Sequence, residues 1–149
     1  MTSFSKLEQN LKTVFCFPEE AIHWLNMVWD VMQFFDDIAD KDPVKRADLD
    51  AVIWASFVGM PGNDFYIKNY QILLPILATS ILKWQGADRA ERAGLADEKS
   101  FMWRAGFYDL ILIVMQICFG AEVAARYAEN VMRLYGENFN DYLMEFNDA

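Results

Sequence analysis

Residues 21–40, AIHWLNMVWDVMQFFDDIAD, set the pattern that organises the chain. At about 100° per residue, His23, Asn26, Asp30, Gln33, Asp37 and Asp40 fall on one narrow stripe. Trp24, Leu25, Met27, Val28, Trp29, Val31, Met32, Phe34, Phe35 and Ile38 fill the remaining circumference. Such a helix is expected to be nearly buried, with Trp24, Val28, Phe35 and Ile38 in the core and the polar stripe facing water or a polar cavity.

The same periodicity predicts helices over residues 3–15, 18–40, 43–58, 65–84, 97–119, 121–135 and 138–146. Pro18 and Pro43 stand at first helical turns, and Gly59, Gly120 and Gly136 read as breaks. Pro75 falls inside the fourth helix and is expected to bend it. The mixed charges of residues 86–96 read as a polar connector. The helix over 97–119 is the second nearly apolar one, with Leu110, Ile113 and Val114 expected in the core. Residues 121–135 carry an alanine face at Ala121, Ala124, Ala125 and Ala128. No alternation of the strand type survives, so the chain reads as all-α. The expectation is a single-domain helical bundle of five to seven helices over residues 1–149.

Charge narrows the partners. Thirteen Lys and Arg stand against 22 Asp and Glu, a net charge of −9. That balance argues against double-stranded nucleic acid and against an anionic membrane surface. Uncharged runs at 69–82 and 110–121 fall short of the roughly 18 residues of a spanning helix, and a hydrophobic signal core is missing from MTSFSKLEQNLK. The expected location is the cytoplasm. Cys16 and Cys118 lie among apolar residues and read as core thiols. Apolar residues make up 54% of the chain and aromatic ones 15%. This surplus of rings predicts a ligand pocket or a homo-oligomer, a dimer first of all.

The acids carry the candidate chemistry. Residues 21–40 contain four Asp and no Lys or Arg. Like charges at Asp36/Asp40 and Asp30/Asp37 repel unless a cation or a distant Arg offsets them. Carboxylates grouped in this way suit a divalent metal, which makes Asp36, Asp37 and Asp40 the candidate metal ligands and Mg²⁺ the candidate cofactor. On the second apolar helix Glu98, Asp109 and Gln116 share a face, with Arg104 far round from Asp109. Two such helices facing each other would line a polar pocket, and Asp30, Gln33, Asp37, Asn69 and Asp109 are its candidate ligand-binding residues. The alternative is that each stripe is solvated or paired with Arg46, Arg89, Arg92 or Arg104. His23, the single histidine, reads as a packed or surface residue. No nucleophile-and-base set emerges from spacing, so whether the chain is an enzyme stays open.

Asp36-Asp37-Ile38-Ala39-Asp40 is a D-D-x-x-D at the end of an aromatic-rich helix, and in this it resembles the class I isoprenoid and terpene synthases. The resemblance implies Asp36 and Asp40 on Mg²⁺ ions that grip a substrate diphosphate. The second metal motif of that family, N-D-x-x-S-x-x-x-E, has its nearest counterpart at Asn140-Asp141, with Met144 at the Ser position and Asp148 at the Glu position. A broader stretch, WDVMQFFDDIADKDPV followed by VGMPGNDFYIKNYQILLPILATSILKW, resembles short uncharacterised all-helical proteins of tailed bacteriophages. It implies a viral protein acting in the host cytoplasm. Three readings follow: a protein that binds and sequesters a small-molecule or nucleotide-like ligand, a Mg²⁺-dependent enzyme acting on a diphosphate, or a structural and interaction protein without a small-molecule site.

Overall fold

The computed structural model describes residues 2–147, and the burial of side chains over residues 7–146. It is 79% helical, and no strand occurs among the described residues. The elements are α1 (Thr2–Thr13), α2 (Glu19–Ala39), α3 (Arg46–Trp54) running into a π-helical segment (Ala55–Gly59), α4 (Asp64–Arg92), α5 (Glu98–Trp103), α6 (Gly106–Phe119), α7 (Ala121–Met132) and α8 (Phe139–Asn147). The all-α class read from periodicity is therefore the observed one. No helix among the described residues is long and apolar enough to cross a membrane. The chain divides into two compact units, Met1–Tyr70 and Gln71–Ala149, with the division falling inside α4.

In the first unit a short connection folds α1 back along α2. Leu7, Leu11, Phe15 and Phe17 are buried, as are Ala21, Ile22, Trp24, Leu25 and Val28 at the start of α2. The Trp24 ring stacks on Tyr66, with centroids 5.6 Å apart. Helix α3 and the π-helical segment also pack on α2. Gly59 permits this approach, because a Cβ there would stand 2.6 Å from Met27 Sδ.

The burial expected of Phe35 and Ile38 is not found. They are 52% and 47% exposed, while neighbouring Phe34 is buried. The cause is length. At about 1.5 Å per residue, the 12 residues of α1 cover only the first part of the 21-residue α2. Apolar periodicity gives a helix the capacity to be buried all round, but burial also needs a neighbour on each side.

The second unit corrects two boundaries. Residues 86–92, expected in a connector, continue α4 as helix. Asp88 and Arg92 are the reason, since they pair at i, i+4 (3.0 Å), and mixed charge at that spacing supports a helix. Ala87 and Glu91 form the buried side of the same turns. Gly94 ends α4 in the left-handed region (φ +76°). Gly94 N–H bonds Glu91 O and Leu95 N–H bonds Ala90 O, which is the Schellman arrangement.

The helix expected over 97–119 is broken at Arg104–Ala105 into α5 and α6, so eight α-helices stand among the described residues where five to seven were expected. Asp97 and Ser100 form a reciprocal capping box at the start of α5. Gly106 opens α6 where the chain passes against α4. A Cβ on it would meet Ser80 Cα at 3.0 Å, and Ser80 Oγ lies 2.9 Å from both Ile76 O and Gly106 O. Leu110, Ile111, Val114 and Met115 of α6 are fully buried, whereas Ile113 is half-buried at the edge of a groove against α7.

Candidate functional site

The stripe of α2 is shared between two environments. Its first members, His23 and Asn26, line a concavity of about 390 Å³ with Glu20, Met27, Gly59 and Asn63. Asn63 holds that wall. Its Nδ2 donates to Glu20 O (3.1 Å) and Glu20 Oε2 (3.4 Å), and its Oδ1 accepts from Tyr66 N–H at the start of α4. His23 stands 3.7 Å from Glu19 and 3.5 Å from Glu20, contacts that become ion pairs when the ring is protonated.

The later members of the stripe lie outside that concavity. Asp30 and Gln33 are exposed at the surface. Partial burial holds the Asp30 carboxyl above the ordinary value, and Asp48 of α3 adds to this. Asp36 and Asp37 are half-buried and Asp40 is exposed. All three sit at the C-terminal end of α2, where the helix dipole disfavours negative charge. Lys41 turns the chain there in the left-handed region (φ +61°), with Lys41 N–H bonding Ile38 O and Asp42 N–H bonding Asp37 O. Among the described residues no group of three or more His, Cys, Asp or Glu is placed to hold a metal ion. Of the possible second motif, Asn140 and Asp141 lie on α8, and Asp148 is outside the described residues. Asn69 is turned inward on its own helix, its Nδ2 donating to Phe65 O (2.8 Å).

Asp109 has a different setting. It lines a concavity of about 430 Å³ in the second unit, on α6 and opposite α7. The other polar members are Gln116, one face-repeat further along α6, and Thr79 of α4. Ile76, Leu112 and Ile113 form apolar walls, and the alanine face at Ala121, Ala124, Ala125 and Ala128 forms the opposite side. Small residues on α7 leave the space that larger ones would fill. Lys83 Nζ bonds Asp109 Oδ2 at 2.7 Å, with both side chains about one-third exposed. The groove is thus nearly uncharged, although an acid stands in it. The shared face of Asp109 and Gln116 was readable from spacing, whereas the Lys83 partner, 26 residues away, was not.

A second polar cluster leaves no sign in local sequence spacing. Glu91, whose side chain is 2% exposed, receives Arg104 Nε on Oε2 (2.6 Å) and the guanidinium's second nitrogen on Oε1 (2.8 Å). Tyr142 O–H donates to Glu91 Oε2 (2.7 Å) and lies 2.6 Å from Ser100 Oγ. The guanidinium carbon is 6.0 Å from the Trp84 ring and 5.5 Å from Phe146. This cluster ties α4, α5 and α8 together as a paired and hydrogen-bonded unit. Tyr142 is pushed up to about 12, first by burial. Tyr108 is pushed to about 12 by burial with Glu137 adding, and burial raises Tyr135 as well. Arg104, at the end of α5, thus pairs with Glu91 of α4.

Compared with protein-family models, with curated proteins and with solved structures, the chain matches none.

Proposed function

We propose that this chain is a non-catalytic binding protein that sequesters a small molecule in the groove between α6 and α7. The observation that carries this is the 430 Å³ concavity whose lining is carbon except for Thr79, Asp109 and Gln116. A mostly apolar open groove of a few hundred Å³ with a few convergent polar groups offers a small molecule a seat at the surface. Its walls suit a flat or aliphatic body, such as the base of a nucleotide-like ligand. Gln116 supplies an amide donor and acceptor, and Asp109, neutralised by Lys83, supplies an acceptor. Holding and not converting the ligand follows from that lining, which offers an amide, a hydroxyl and a paired carboxylate. For a virus-encoded protein the place of action is the host cytoplasm.

Thermal-shift measurements with free bases, nucleosides and nucleoside monophosphates test this reading. Specific binding raises apparent stability by mass action. Ala125→Phe, a change at an exposed position on the groove wall, should remove the gain while leaving the protein folded. A panel that shifts nothing, or a shift that survives Ala125→Phe, would defeat the proposal. The Mg²⁺ reading of Asp36, Asp37 and Asp40 is a separate proposal, supported by their crowding at an unfavourable helix end and not by the groove.

A further inference from the structure

Helix α3 and its π-helical continuation pack on α2 by one side only. Val52 is buried and Gly59 meets Met27, but Ile53, Trp54, Phe57 and Val58 are 49%, 66%, 79% and 45% exposed. Ile53 and Phe57, and Trp54 and Val58, stand four apart, and Trp54 and Phe57 three apart; side chains at these spacings are neighbours on a helix surface, so the four form one patch. We propose that this patch docks on the same patch of a second copy of the chain, in a two-fold dimer anchored by Trp54 and Phe57.

Area favours a second copy. Large rings carry about 150–250 Å² each, so the four side chains leave on the order of 400 Å² of apolar surface in water on each copy, a size that is commonly functional on a monomer. Pairing two copies removes roughly 800 Å². That area is the scale of a weak, concentration-dependent contact.

Charge favours it too. A net charge of −9 opposes self-association in general. Over residues 45–59, however, Lys45 and Arg46 offset Asp48 and Asp50, and Arg46 Nε lies 3.4 Å from Asp50 Oδ1. The helix that carries the patch is thus neutral in itself, with Asp30 of α2 the acid that Asp48 faces, so a second copy meets little like charge from α3. A two-fold contact also needs a surface complementary to itself, which an uncharged aromatic patch satisfies.

Sedimentation velocity on the full chain from 1 to 200 µM tests the proposal. The expected result is a concentration-dependent dimer. Phe57→Glu should weaken it at least about 30-fold, as removal of a central aromatic anchor does, and Trp54→Ser should act in the same direction. Both positions are exposed, so the helical circular dichroism should be unchanged. Leu82→Glu, on exposed α4 surface, should leave the dimer intact. A monomer throughout the range overturns the proposal. So does a dimer that survives both Phe57→Glu and Trp54→Ser. Trp54 shielded from a soluble quencher in a monomer would show the patch covered from within the chain, and overturns it equally. The patch and the α6–α7 groove lie in different units, so either reading can fail without the other.

Discussion

The two units handle charge differently. In the second, the buried acid meets its partner from another element: Glu91 receives Arg104 and Tyr142, and Asp109 receives Lys83. In the first, Asp30, Asp37 and Asp48 stand exposed or half-buried on α2 and α3. In the sequence the acids crowd residues 30–50, yet the buried, multiply bonded carboxylate is Glu91 of the second unit. Carboxylates that crowd a helix can stay wet at little cost. A carboxylate withdrawn from water cannot, and its counter-charge must come from whichever element folds over it.

The sharpest test of that difference removes a partner on each side. Arg104→Met leaves Glu91 buried without its counter-ion and should destabilise by about 3–5 kcal/mol in urea unfolding. Glu91→Leu in the same chain should recover much of the loss. If the single change costs under 1 kcal/mol, the cluster is not a strut between α4, α5 and α8.

Alkaline pH probes the same cluster more gently. Burial pushes Tyr142 of the cluster up to about 12, and Tyr108 of α6 outside it likewise, against an ordinary value of 10.0. The folded state holds the proton more tightly, so the stability this contributes is complete below pH 10 and is lost as pH rises towards 12. Its ceiling is about 1.4 kcal/mol per pH unit crossed for each group. Tyr142→Phe should flatten the decline between pH 10 and 12 in denaturation curves, and an unchanged slope would remove Tyr142 from the explanation.

Gly106→Ala should cost about 1–3 kcal/mol, because the new methyl must displace the Ser80 backbone 3.0 Å away. A gain in thermal midpoint would mean that helix propensity outweighs the contact. At the end of α2 the sign reverses. Lys41→Gly relieves a left-handed non-glycine residue and should stabilise by about 0.5–1 kcal/mol.

The smallest effect is expected from the acids. Asp36→Asn with Asp40→Asn should stay within about 0.5 kcal/mol if the cluster is merely solvated. A rise in melting temperature with Mg²⁺ or Mn²⁺ that these changes abolish would instead favour a metal role and blur the contrast between the units.

Local patterns alone were enough for the helices and most of their ends. Apolar spacing marks each helix, Pro18 announces the start of α2, and Gly120 separates α6 from α7. These features depend on residues three to five apart, so no knowledge of the rest of the chain is needed. The face shared by Asp109 and Gln116 was legible for the same reason. Tertiary structure decided the rest. Phe35 and Ile38 are wet because α1 is shorter than α2, and α5 parts from α6 where Gly106 passes Ser80. Glu91 is a buried anchor because Arg104 and Tyr142, 13 and 51 residues away, close on it. Periodicity states which side of a helix can be buried or charged; only the packing of distant segments determines which side is, and which charge finds a partner.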